Sequence, residues 1–361
     1  MEGSAIDIVV FAPLAPIFGV LLFWFIQLLF IESQKYFLSL IRSKHEPLCR
    51  FTNFLGILFQ TVCHALGYTV TKHGISDFYV SVHYGKVKPK KEKKGVVEWL
   101  ANSFLFLGPF FIPAVLLLLC LFFLIENGFI LSITSDYSFA GQMIAFGSNL
   151  HSFTTSFLGF LLNINLLHPG HFGFLILMVF LGMGMRPSYF GEKTRRKVDM
   201  LYDLTNIKNN ILHKPLYILL LFLTAYLFFY ISFWLGQNWY SALFSIFGWL
   251  SIISIISLII THLIILLIRT TDKINSRMKF LPYILMPISY ISMRVLFNYF
   301  PADFGNSVSL LIMIFITFLV TLYLLKPKKP KTNKFKSKQD IKMSDKEKKG
   351  EEDEPRRVIE E

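Results

Sequence analysis

Residues 239–268, WYSALFSIFGWLSIISIISLIITHLIILLI, run for thirty positions without Asp, Glu, Lys or Arg. A bilayer core about 30 Å thick needs about 20 apolar residues in a helix, so this stretch can cross with length to spare for tilt. Seven further spans are read outward from it, at 8–31, 51–69, 103–125, 172–185, 216–235, 281–300 and 307–325. The span at 172–185 is short, although residues 153–167 ahead of it are also apolar. The 361-residue chain is 54% apolar with 39 Phe and only 16% charged, against about 25% charged in soluble domains. A soluble enzyme, a disordered chain and a disulfide scaffold are excluded. The expected fold is an all-α polytopic membrane protein, integral and multi-pass, with seven or eight transmembrane helices.

The net charge of +13 would suggest nucleic acid in a soluble protein. Here the basic residues flank apolar runs, where they set topology and meet anionic lipid headgroups, so no nucleic-acid partner is expected. Residues 71–99, 186–214 and 269–279 are rich in Lys and Arg and are assigned inside. The 48 residues 126–173 contain neither Lys nor Arg and are assigned outside, with 236–238 and 301–306. The front end conflicts, because 32–50 carries Lys35, Arg42, Lys44 and Arg50. If 51–69 crosses, that loop lies outside against its charge. If 51–69 is re-entrant or interfacial, the loop lies inside and the N-terminus outside. The pattern as a whole favours eight spans with both termini inside. The start lacks a basic region and carries Glu2 and Asp7, so the first apolar run reads as a retained helix. Cys49, Cys63 and Cys120 imply no disulfide framework.

Between the second and third spans the texture changes. Phe78, Val80, Val82 and Tyr84 alternate with Tyr79, Ser81 and His83, which predicts a β element over 75–88, paired or buried against the membrane face. After residue 325 apolar periodicity stops. Residues 326–342 hold eight lysines and Asp340, and 351–354 are all acidic, so a disordered charged tail is expected. Its Lys326, Lys328, Lys329, Lys331, Lys334, Lys336 and Lys338 are expected to bind anionic headgroups. The chain divides into 1–50 (first helix and juxtamembrane segment), 51–200 (core), 201–325 (C-terminal bundle) and 326–361 (tail).

The second span contains Phe59-Gln60-Thr61-Val62-Cys63-His64-Ala65-Leu66-Gly67. Gln60 and His64 share a helical face, and an ionisable residue at membrane depth usually has a task. The segment resembles the zinc helix of site-2-type intramembrane metalloproteases, H-E-x-x-H followed by Ala and a small residue. That resemblance extends over about 50–185. The β element follows, then Leu107-Gly108-Pro109-Phe110, similar to the family's Gly-Pro helix. Further on, Asn165-Leu166-Leu167-His168-Pro169-Gly170-His171-Phe172-Gly173 is similar to its second motif, which ends in a metal-ligating Asp-Gly. Gln60 stands where the first His is expected, Thr61 where the Glu is, and Phe172 where the Asp is. Zinc hydrolysis needs the imidazole pair and a base for the bound water, so the resemblance implies the architecture without the family's catalysis. Its groove would involve Gln60, Gly108, Pro109, Asn165 and Asp199 and would hold a membrane-protein segment or lipid. No cofactor is expected by that reading. In a relocated site, zinc is the metal that His64, His168 and His171 would take. Each histidine also fits a hydrogen-bonded packing role.

Other readings stay open. His168 and His171 bracket a Pro-Gly turn with His151, Glu126 and Asp136 upstream, a pattern for a metal or for a helix cap. Asp199 and Asp203 are carboxylates at i and i+4 in a basic stretch. Arg294, with Asp303 nearby, marks a solute pathway or an ion pair, and Pro282 and Pro287 suggest a broken helix beside it. A small-solute transporter and a scaffold acting through its tail are therefore the alternatives. No P-loop, G-x-G-x-x-G, G-x-S-x-G or intact H-E-x-x-H is present.

Overall fold

A computed structural model describes residues 5–91, 94–125, 129, 131, 136–185, 215–274, 277–299 and 304–326. A π-helical turn, Asp7–Phe11, precedes α1 (Leu14–Ile41). Then come α2 (Glu46–Val70), β1 (Ile75–Val80), β2 (Gly85–Pro89), α3 (Val96–Leu124), α4 (Phe139–Leu162) and α5 (Pro169–Gly184). After these follow α6 (Pro215–Trp234), α7 (Trp239–Thr271), a 3₁₀ turn (Met278–Phe280), α8 (Leu281–Tyr299) and α9 (Gly305–Leu325). Six helical stretches among the described residues are long and apolar enough to cross a membrane, the organisation of a multi-pass integral membrane protein. Seven or eight were expected, and two of the expected spans fall short. α2 is too polar to qualify, and α5 is too short.

α1 and α7 lie side by side and run the same way. At one end Tyr240 donates to the Pro13 carbonyl. At the other, Leu38 and Ile41 cluster with Ile265, and His45 bonds Asp272 at 2.9 Å. α3, α4 and α5 close around this pair over Phe110, Leu117, Leu121, Phe153, Phe174, Met178, Trp249 and Leu258. The Trp249 ring stacks on Phe153 at 4.9 Å, and its indole N–H bonds the Asn149 carbonyl.

Lipid tails give helices little hydrophobic reason to associate, so small residues and internal hydrogen bonds carry much of the packing. Gln27 of α1, fully buried, donates to the Phe110 carbonyl, which also receives the Ser254 hydroxyl, both at 3.2 Å. Pro109 and Pro113 strip two N–H donors from the same stretch of α3. One face further along α1, Gln34 donates to the Gly182 carbonyl at 2.9 Å. There α5 meets α7 at van der Waals limit: a Cβ on Gly182 would lie 2.3 Å from the Ser257 carbonyl oxygen.

Several expectations are corrected here. The start of α1 lies beside the 236–238 turn assigned outside, while Lys44 and His45 touch Asp272 in the loop assigned inside. The N-terminus and the 42–50 turn therefore lie at opposite ends of the α1–α7 pair, the arrangement of the alternative in which the 32–50 loop is inside and the N-terminus outside. α1 continues past residue 31 because Glu32 and Lys35 pair at 2.6 Å, which lets the helix carry both charges. The 126–173 segment is not all loop, since it contains α4. Ser138 caps that helix by accepting the Gly141 N–H, and Asp7 accepts the Phe139 N–H. Hydrogen bonds from Ser138, its backbone N–H first, hold the Asp136 carboxyl below the usual carboxylate range. The β element is a hairpin, with Phe78 opposite Val87 and Tyr79 opposite Lys86. The alternation does not continue through Val82 and Tyr84, because Ser81 turns the chain by bonding the Tyr84 carbonyl. α8 runs unbroken through Pro287, not as a discontinuous helix.

Candidate functional site

The residues singled out by the zinc-helix resemblance lie on α2 and its neighbours. His64 is half-buried, bonded to Asn102 of α3, and its ring lies 4.4 Å from Tyr68. His73 lies beyond Tyr68 at 5.5 Å. Thr71 gives its one hydroxyl proton to the Gly67 carbonyl, so the 2.6 Å contact with His73 must carry the proton on the histidine Nδ1. His73 Nε2 and His64 Nε2 are both buried without a partner among the described residues. Gln60 lies half-buried one turn before His64.

The hairpin covers this helix. Asn53 donates to the Val82 carbonyl at 2.9 Å, and β2 crosses α2 where Gly85 faces Thr61. A Cβ on Gly85 would stand 1.9 Å from the Thr61 hydroxyl, itself turned back onto the Ile57 carbonyl. Thr61, which the resemblance sets against the protease general base, is thus small, capped by its own helix and roofed by backbone. Gly108 packs on Cys63 with a virtual Cβ contact of 2.8 Å. It brings α3 against α2, and Pro109 beside it is buried.

His168 and His171 sit elsewhere. Gly170 between them touches Leu124, whereas His64 touches Asn102, and those two positions of α3 are about 33 Å apart at 1.5 Å per residue. The three histidines are not brought together. The two imidazoles are 4.7 Å apart, but His171 Nδ1 accepts the Asn165 N–H at 3.1 Å, which commits that lone pair. Asn165 also accepts the Leu167 N–H through its side chain, and Leu166 donates to the Tyr290 hydroxyl, so this is a turn braced onto α8. No group of three His, Cys, Asp or Glu among the described residues could hold a metal. Arg294 Nε is buried without a partner among the described residues, and its guanidinium approaches Gly305 at the start of α9. Asp303, Asp199, Asp203, Glu126, Lys328, Lys329, Lys331, Lys334, Lys336 and Lys338 lie outside the described residues. Lys326 is exposed at the end of α9.

What sequence reasoning missed is a groove. Between α1 and α4, floored by Ile252 of α7, an apolar cleft of about 630 Å³ opens on the side of the bundle. Phe18 and Leu22 form one wall, Met143, Gly147 and Leu150 the other. Gly19 and Phe146 fix its width, since a Cβ on Gly19 would be 2.3 Å from the Phe146 ring. A Cβ on Gly147 would meet nothing within 4 Å, so that glycine faces open space. His151 and Thr154 place polar atoms in the cleft, although Thr154 returns its hydroxyl to the Leu150 carbonyl. His151, read from sequence as a companion of the later histidine pair, belongs to this cleft. The one legible signal was Gly147 and His151 at i and i+4 on a helix that had not been recognised.

Comparison of the chain with protein-family models, with curated proteins and with solved structures finds no match.

Proposed function

We propose that the protein holds a transmembrane segment of a partner membrane protein in the α1–α4 cleft, on a core that resembles site-2-type intramembrane proteases but carries out no catalysis. The observation behind this is the cleft itself: apolar, open on one side, and walled at Gly147 where a second helix can approach closely. His151 favours a protein segment over a lipid headgroup. It lies in the middle of α4, about 16–18 Å from either helix end, too deep for a headgroup if α4 crosses the bilayer. A polar side chain on a partner helix can reach that depth and bond the imidazole. The absence of catalysis is supported by Gln60 and Thr61 in the positions of the first His and the Glu, and by the hairpin backbone over Thr61.

A photo-crosslinking residue at Phe18, in native membranes, should capture a discrete protein adduct. The same residue at Ile314, exposed on α9, should not. Gly147→Leu should abolish the adduct while the bundle stays folded, because its side chain enters empty space. Lipid-only adducts at Phe18, or an adduct that survives Gly147→Leu, would remove this reading.

A further inference from the structure

We infer that the turn 42–50 and residues 269–274 and 277–279, brought together at the charged end of the bundle, form one binding site for the phosphate headgroup of an anionic phospholipid. The two turns are far apart in sequence and are tied by three contacts. His45 Nε2 bonds both carboxylate oxygens of Asp272, at 2.9 and 3.0 Å, and Lys44 reaches the Asp272 carbonyl at 3.4 Å. The Thr271 and Tyr283 hydroxyls, 2.8 Å apart, draw the start of α8 to the same place. Together the turns hold seven lysines and arginines against two carboxylates.

Both carboxylates are already engaged, Asp272 by His45 and Glu46 by Arg50 at 2.7 Å. Arg269, Lys273, Arg277 and Lys279 form no salt bridge among the described residues. Lys273 and Arg277 are exposed. Clustered cations with no internal counter-charge attract an anion from outside.

The apolar neighbours indicate that this anion comes attached to acyl chains. Met278 and Phe280 are more than half exposed beside the cluster, and Lys279 lies over the Phe280 ring at 5.1 Å. A soluble phosphate would gain nothing from those side chains. A phospholipid would set its headgroup on Lys273 and Arg277 and its chains along Met278 and Phe280.

The test uses the full-length protein in detergent, titrated with phosphatidylglycerol, phosphatidylcholine or inorganic phosphate. The readouts are thermal midpoint and the lipids retained in native mass spectrometry. Phosphatidylglycerol should raise the midpoint and remain bound, and the other two should do neither. Lys273→Gln with Arg277→Gln should weaken apparent affinity about 30-fold. A chain with Lys328, Lys331, Lys334 and Lys338 changed to Gln should keep the full response. Equal responses to phosphatidylcholine or inorganic phosphate would overturn the assignment. So would an undiminished response in the double variant, or one lost only in the tail variant, which would leave these turns as a topology signal.

Discussion

Gly182→Ala should unfold the bundle more readily than almost any other single methyl addition to this chain. The new Cβ would lie 2.2 Å from the Thr261 hydroxyl oxygen and 2.3 Å from the Ser257 carbonyl oxygen. Thr261 cannot swing away without losing its 2.8 Å bond to that same carbonyl, and the carbonyl itself is α7 backbone. α5 and α7 would have to separate, and the Gln34 bond to the Gly182 carbonyl would stretch with them. Overpacking of this kind costs about 3 kcal/mol, well above the roughly 1 kcal/mol that Ala gains over Gly in a helix. Gly147→Ala is the control. It makes the same chemical change on a helix where the Cβ meets nothing, and should stabilise by about 0.5–1 kcal/mol. Thermal unfolding of the two variants in one detergent should move in opposite directions. A Gly182→Ala protein as stable as wild type would mean that α5 and α7 are not in contact there.

The second large effect is expected from writing an H-E-x-x-H motif into α2. Gln60→His with Thr61→Glu writes H-E-x-x-H around His64, yet should yield a damaged protein, not a zinc enzyme. Thr61 is 6% exposed, and the backbone at Gly85 lies directly over it. A glutamate there would displace the hairpin or bury a carboxylate with no cation beside it, at about 3–5 kcal/mol. Limited proteolysis should cut the 75–89 hairpin faster than in wild type, and elemental analysis should find less than one zinc per chain. If the double variant is as stable as wild type and binds stoichiometric zinc, the hairpin lifts readily and the core is a competent protease scaffold.

Uniformly apolar stretches were legible from sequence to within a few residues, and those diluted by polar residues were read less well. α7 and α9 were read to within a few residues because nothing in them interrupts the hydropathy. α4 was missed because Gln142, Asn149 and Thr154 dilute its apolar run. In the fold Gln142 bonds the Asp136 carbonyl, Asn149 bonds Ser245 at 3.1 Å, and Thr154 bonds its own helix, so each is satisfied without water. Hydropathy counts such residues as exposed, because it cannot see their partners. The same blindness hid the cleft, which depends on Gly19 meeting Phe146 across two helices while Gly147 meets nothing. The residues resembling the zinc helix were visible as a motif. What roofs Thr61 is Gly85, a residue with no side chain to signal its approach.

The hydrogen bonds of α1 also set a timetable for its synthesis. Gln34 is made 148 residues before the Gly182 carbonyl that it bonds, and Gln27 is made 83 residues before the carbonyl of Phe110. At roughly 5–20 residues per second, the amide of Gln34 waits roughly 7–30 s for its acceptor. Two amides of the new helix are bare until residue 110 is made, and that of Gln34 alone from then until residue 182. The helix must be sheltered by the insertion machinery or by a membrane chaperone, or be exposed to quality control. Slowing translation between residues 110 and 182 would lengthen that exposure and lower the yield of folded protein, without altering any residue of the finished chain.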